Sequence, residues 1–125
     1  MKAEMDERRA WASVFAKCWM CGVKDIFGLP LETHEIERRS HGPRLRWAHR
    51  CNYFRACRKC HEGPLATMEH AKQLAYKKLS DPRHYDLSLW LKIRDPELRA
   101  PRRVLEEEVD AHIKSLTEGG YTPWK

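Results

Sequence analysis

Hydrophobic residues recur at helical spacing near the start of the chain and again through its second half. Residues 4 to 17 predict a helix with Trp11, Val14 and Phe15 on one side and charged residues on the other. A second helix is predicted over about residues 68 to 80, with Thr67 as its cap. The residues expected to face inward from this second helix are Ala71, Leu74, Ala75 and Leu79.

The last third of the chain continues the helical pattern. Asp86 can cap a short apolar segment around Trp90. Pro101 suits the first turn of a last helix, over about residues 101 to 118, and the glycine pair at 119 and 120 would close it. One stripe of this helix, which we interpret as core rather than as a partner surface, contains Leu105, Val109, His112, Ile113 and Leu116.

The middle of the chain loses the helical period. Leu31 to Glu37 predicts a short strand, and Arg46 to Ala56 predicts a second strand or an irregular return. The polar break at residues 40 to 43 predicts a loop between them. Cys57 to Glu62 predicts a tight turn that runs into a short helix, which Gly63-Pro64 stops. This order of strand, loop, strand and helix predicts an α+β fold.

Four of the five cysteines form two Cys-x-x-Cys pairs, Cys18/Cys21 and Cys57/Cys60. Two such pairs predict a closed tetrahedral site for a structural zinc ion. Disulfide bonds are the weaker interpretation, because the charged start of the chain lacks a hydrophobic signal-peptide core and a reducing cytosol is therefore expected. Cys51, the fifth cysteine, is expected to be a structural thiol.

The charge pattern favours a polyanionic partner. The chain has 125 residues, which suits one small domain, and a net charge of +6. No apolar run is long enough to cross a membrane. Basic residues crowd the stretch between and on the cysteine pairs, namely Arg38, Arg39, Arg44, Arg46, Arg50, Arg55, Arg58 and Lys59. The residues predicted to contact the phosphates of a nucleic acid are Arg38, Arg39, Arg44, Arg46 and Arg55.

From Cys18 to His61, about a third of its length, the chain resembles the HNH endonucleases. The segment from Asn52 to His61, NYFRACRKCH, is similar to the family's segment from its asparagine to its final histidine. Residues 31 to 40, which include His34-Glu35, resemble the strand that carries its first histidine. In the helical tail, residues 72–82, KQLAYKKLSDP, also resemble the extension of small HNH proteins found in phages and prophages.

The resemblance implies a ββα-metal (HNH) finger that hydrolyses phosphodiester bonds in DNA with a catalytic divalent metal, which could be magnesium, manganese or nickel. It implies that His34 and His61 hold this ion, and that Asn52 orients the base or pins the strand loop. The N-terminal helix predicted from the hydrophobic pattern would flank this finger, and the C-terminal helical extension would lie beside it.

The general base is less clearly assigned, because many family members have a second histidine where this chain has Glu35. Glu35 is the expected base, since a carboxylate can activate water when its pKa is suitable. In the alternative, His34 is the base and His61 binds the metal with another group, such as His41 or His49.

The expected function is therefore metal-dependent DNA cleavage. Residues 1–65 are expected to form the nuclease core with its N-terminal helix, and residues 66–125 a helical extension packed on it. The expected location is cytoplasmic, in the bacterial host if the chain is phage-encoded, with a phage or host protein as an additional partner. The alternative is a zinc-stabilised nucleic-acid-binding or interaction module that does not catalyse a reaction.

Overall fold

The computed structural model of the chain describes residues 2–26, 30–37, 49–94 and 104–124. Within these ranges the chain forms six α-helices and two β-strands. In chain order they are α1 (Lys2–Ala12), β1 (Glu32–Glu35), β2 (Tyr53–Ala56), α2 (Arg58–Glu62), α3 (Pro64–Thr67), α4 (His70–Ser80), α5 (Leu87–Arg94) and α6 (Glu106–Glu118). A 3-10 turn at Arg50–Asn52 leads into β2. The combination of helices with a small antiparallel sheet agrees with the predicted α+β class.

The two strands form an antiparallel sheet whose register determines which side chains share a face. Glu32 pairs with Ala56, and His34 pairs with Phe54. Because side chains alternate along a strand, Glu32 and His34 lie on one face of the sheet, and Glu35 lies on the other. Helix α2 follows β2 after a single residue, so the sheet face and this helix are fixed relative to each other by a very short connection.

Helix α1 ends earlier than its hydrophobic pattern predicts. The helix was expected to continue to residue 17, but it ends at Ala12. The following residues instead form an extended pairing, in which Lys17 bridges to Lys24 and the amide of Asp25 donates to the carbonyl of Ala16. This pairing leads into the first cysteine turn, so residues that were expected to continue the helix form an extended segment instead.

Thr67 is not the cap of the long helix α4. It is the last residue of α3, which begins at Pro64, and the residue before α4 is Glu69. Proline at the first helical position favours this short extra helix, because its missing N–H needs no partner there. By contrast, the predicted cap of α5 is confirmed, since Asp86 Oδ1 accepts a hydrogen bond of 3.0 Å from the amide of Leu89.

The last helix is shorter at its start than predicted and contributes less to the core. It begins at Glu106, and residues 101–103 lie outside the described ranges. Of the predicted stripe, Val109 is fully buried, whereas Leu105 precedes the helix and is exposed. The predicted end is confirmed, because the amide of Gly119 donates to the carbonyl of Ser115 as the cap of the helix.

The core is built from aromatic side chains that join the helices to the sheet. Trp11, Trp19 and Phe54 are buried and stack in sequence, with ring centroids 5.7 Å apart for the first pair and 4.8 Å for the second. Tyr53 and Trp90 are buried in the same cluster. Burying rings of this size supplies much of the hydrophobic stabilisation available to a chain this short.

Candidate metal centre and histidine pair

The sulfur atoms of Cys18, Cys21, Cys57 and Cys60 all lie within 4.8 Å of one another. Sulfur atoms in a tetrahedral zinc–thiolate site stand about 3.8 Å apart, because each Zn–S bond is about 2.3 Å long. The measured separation between the sulfurs of Cys21 and Cys57 is 3.7 Å. The four cysteines therefore fit a zinc ion, and among the described residues they form the only group of three or more potential ligands that converges in this way.

Each cysteine pair sits on a local turn. In the first, the amide of Gly22 donates to the carbonyl of Cys18 at 2.9 Å, and Gly22 adopts a φ of 76°. A side chain there would be strained by this φ and would also meet the ring of Trp124. In the second turn, the amide of Cys60 faces the sulfur of Cys57 at 3.5 Å.

Backbone amides favour the thiolate form of one of the four cysteines. Burial raises the pKa of the Cys18 thiol, but amides of Cys21, Cys57 and Met20 oppose this effect and bring the pKa below its usual value. Cys51 behaves differently, because burial raises the pKa of its thiol to about 12. Cys51 also lies outside the converging group, in agreement with its predicted role as a structural thiol.

His34 and His61 face each other, with ring centroids 4.9 Å apart and planes inclined by 70°. His34 lies on β1 and is only 7% exposed, whereas the side chain of His61, on α2, is 37% exposed. Residue 61 directly follows Cys60, so the second cysteine turn determines where this imidazole stands. The two histidines are thus brought together by the sheet register and by the cysteine turn.

Both imidazoles contact residues that sequence reasoning did not select. His34 Nε2 lies 2.7 Å from Gln73 Oε1, and His61 Nδ1 lies 2.8 Å from Glu32 Oε1. Glu32 could have been found from the sequence, because it stands two residues before His34 and therefore shares its strand face. Gln73 comes from α4, 39 residues along the chain from His34, and no local pattern marks it.

Asn52 holds the end of the first strand. Its side chain is completely buried, accepts a hydrogen bond of 2.8 Å from the amide of Glu37 and donates one of 3.1 Å to the carbonyl of the same residue. Trp90 Nε1 donates to the same Asn52 oxygen at 3.0 Å. Of the two roles expected for Asn52, these contacts match the pinning of the strand loop.

Glu35 is not brought to the histidine pair. It lies on the opposite face of β1, where its carboxylate accepts a hydrogen bond of 2.5 Å from Arg8 of helix α1. The guanidinium of Arg8 also stands 5.3 Å from the centre of the Tyr53 ring. The alternation of side chains along a strand separates His34 from its immediate neighbour, so this geometry argues against Glu35 as the general base.

Arg55, predicted as a DNA contact, has a structural role instead. Its side chain is buried and donates to the carbonyls of Phe15 and Leu31 and, at 3.0 Å, to the carboxylate of Asp25. The guanidinium of Arg55 therefore connects β2 to three other segments of the chain, at Phe15, Leu31 and Asp25. The other four predicted DNA contacts, at positions 38, 39, 44 and 46, lie outside the described residues, as does position 41.

His49, the other alternative ligand considered from the sequence, caps the 3-10 turn. Its Nδ1 accepts a hydrogen bond of 3.1 Å from the amide of Cys51. Burial lowers the pKa of His49, which favours the neutral ring that can accept this bond. The described geometry thus gives His49 a local role in the approach to β2.

Comparisons with known proteins leave the family open. No protein-family model, no curated protein and no solved structure matches this chain. Across the described residues, no helix has the length and apolar character needed to cross a membrane.

Proposed function

We propose that this protein is a metal-dependent DNA endonuclease of the HNH type, which hydrolyses phosphodiester bonds. The observation that carries the proposal is the approach of His34 to His61, two residues that the sequence separates but whose rings stand 4.9 Å apart. The same two residues are those to which the resemblance assigns metal binding.

The arrangement around the pair supports a ββα-metal finger. Two antiparallel strands lead directly into helix α2, and the cysteine pair at the start of this helix converges with the pair that precedes β1 in the chain. Asn52 ties the end of β1 to the start of β2 through the backbone of Glu37. A framework of this kind keeps two imidazoles in place without a large hydrophobic core.

The side chains of His34 and His61 would hold the catalytic ion. Neutral imidazole suits nickel and other first-row transition metals better than magnesium, which prefers oxygen ligands. When bound, such an ion would supply charge stabilisation at the phosphate as a Lewis acid. Two protein ligands are fewer than a structural site uses, and this is compatible with a site whose remaining positions accept substrate.

Cations of the chain would bind the substrate near this pair. Arg58 and Lys59 are exposed at the start of α2, within three residues of His61. The net charge of +6 favours a polyanion in the same way over longer distances. Phosphate contacts of this type fix the position of DNA but carry little sequence information.

A plasmid-nicking assay on the zinc-loaded protein tests the proposal. Cleavage is expected with manganese, nickel or magnesium and not without added metal. His61→Ala and His34→Ala should each abolish cleavage while zinc content and DNA binding stay unchanged. Glu35→Gln should cleave at close to the wild-type rate, because Glu35 faces away from the histidine pair.

The outcomes separate the two functions considered. Full activity in both histidine variants would mean that the nuclease proposal is wrong. DNA binding without cleavage under any metal would favour a non-catalytic zinc-stabilised module. A large reduction of rate in Glu35→Gln, roughly the 10²–10⁴-fold that a general base is worth, would return that role to Glu35.

A further inference from the structure

Each imidazole of the histidine pair has a hydrogen-bond partner from a different element. Glu32 of β1 contacts His61 through Nδ1, and Gln73 of α4 contacts His34 through Nε2. The two contacts thus occupy opposite nitrogens of the two rings. The partner of one ring nitrogen decides which nitrogen of a neutral imidazole carries the proton and which carries the lone pair.

The orientation of the Gln73 amide is fixed by a second contact. Its Nε2 donates a hydrogen bond of 2.8 Å to the carbonyl of Met68, which turns Oε1 toward His34. A carbonyl oxygen only accepts hydrogen bonds, so His34 Nε2 must donate and carries the proton. In the neutral ring the lone pair of His34 is then on Nδ1.

The same logic gives the opposite result for His61. Its Nδ1 lies 2.8 Å from the Glu32 carboxylate, and an ionised carboxylate can only accept. His61 Nδ1 therefore carries the proton, and the lone pair is on Nε2. The side chains of Glu32 and His61 are 38% and 37% exposed, so this contact lies at the rim of the site, whereas the contact of Gln73 with His34 is buried.

We propose that Glu32 and Gln73 are positioning residues, which set opposite tautomers so that His34 presents Nδ1 and His61 presents Nε2 to a shared divalent ion. The proposal of a shared ion rests on the proposed function, but the assignment of tautomers does not. Outer partners of this kind orient metal-binding histidines, and removing them usually costs about 10–100-fold in metal affinity.

Nitrogen-15 NMR of the zinc-loaded full chain with labelled histidine tests the tautomers directly. At about pH 8 the spectrum should show an Nε2–H form for His34 and an Nδ1–H form for His61. Glu32→Ala should convert His61 to a mixture of tautomers, and Gln73→Leu should do the same for His34. Gln73→Glu should keep the Nε2–H form, because a carboxylate still accepts the bond.

A metal titration of the same variants supplies a second readout. Glu32→Ala and Gln73→Leu should each weaken binding of manganese or nickel by about 10–100-fold, with zinc content unchanged. Glu62→Ala is the matched control, since Glu62 lies on α2 beside His61 but pairs with Arg58. This control should change neither the tautomers nor the affinity.

The opposite tautomer at either histidine in the wild-type chain would overturn the assignment. Unchanged tautomers in Glu32→Ala and Gln73→Leu would remove the positioning role. Expected tautomers together with no binding of manganese, nickel or magnesium would leave the assignment standing, but would reject the shared ion and with it the proposed function.

Discussion

Asn52 concentrates three buried hydrogen bonds on one side chain, with the amide and carbonyl of Glu37 and the indole of Trp90. Asn52→Leu keeps the approximate volume but deprives all three partners of these bonds. A buried polar group that loses its hydrogen bond costs about 1–3 kcal/mol, and three groups are affected. The free energy of unfolding should therefore fall by about 3 kcal/mol or more. Chemical denaturation measures this decrease.

Trp90→Phe is the control for that prediction. It removes the indole donor to Asn52 and part of a buried ring but leaves both bonds between Asn52 and Glu37, so it should cost less than Asn52→Leu. Equal stability of wild type and Asn52→Leu would contradict the role of Asn52 as the pin between the end of β1 and the start of β2.

Two neighbouring lysines should differ sharply in their contribution to stability. Lys77 is fully buried, and its ammonium group donates to the carbonyls of Arg50 and Tyr53 and to Asp81. Burial lowers the pKa of Lys77 to about 8, against the effect of Asp81, so the group remains charged at neutral pH. Removing one partner of a buried ion pair typically costs about 3–5 kcal/mol, which is the decrease in stability expected for Lys77→Met.

Lys78 supplies the matched comparison for Lys77. Its ammonium group pairs with Glu106 and Asp110 near the surface. Exposed pairs of this kind contribute less than about 1 kcal/mol, so Lys78→Met should have a small effect. Thermal or urea unfolding of both variants checks the contrast, and equal decreases in stability would contradict it.

At the scale of the elements, the two cysteine turns should depend on a bound metal. We expect one zinc ion per chain, because the four sulfurs converge within 4.8 Å. Cys57→Ser should release zinc and lower the melting temperature strongly, since structural zinc commonly supplies about 10 kcal/mol or more to small sites. Elemental analysis and thermal unfolding, with and without a strong chelator, measure both effects.

Cys51→Ala is the control for the zinc prediction. Cys51 is buried like Cys18 but lies outside the converging group, so the variant should keep its zinc. A protein that contains no zinc and remains folded after chelation would contradict the prediction.

The cysteine turns were predictable because their geometry is local. A Cys-x-x-Cys spacing places two sulfurs on one turn whatever surrounds it, so the sequence alone identifies all four cysteines that converge. The ends of helices were less predictable, because they depend on competition between neighbouring elements. Helix α1 ends at Ala12, and the residues after it lead into the Lys17–Lys24 pairing. Thr67 is the last residue of α3 and does not cap α4.

At the scale of the whole molecule, the sequence could not predict contacts between distant elements. Gln73 reaches His34, and Lys77 reaches the carbonyl of Tyr53, across helices and strands whose packing no local pattern encodes. For Arg55 the sequence predicted a contact with DNA, because the residue lies in a basic stretch. In the structure its side chain is buried and contacts Asp25 instead. Residue type indicated the available chemistry, but tertiary packing decided which side chains meet.

The net charge of +6 leads to the last prediction, which concerns DNA binding by the whole chain. Binding through phosphates releases counterions, so log Kd should rise linearly with log salt and depend little on DNA sequence. Arg38→Glu with Arg39→Glu should weaken binding and reduce the salt slope by about 2, close to one unit for each phosphate that an arginine no longer neutralises.

Lys92→Glu with Lys114→Glu is the control for this prediction. It lowers the net charge equally at exposed positions of α5 and α6 and should leave the slope nearly unchanged. Fluorescence anisotropy over a salt series distinguishes the cases: equal effects of both double variants would assign binding to overall charge, and no effect of the arginine pair would exclude it from the DNA interface.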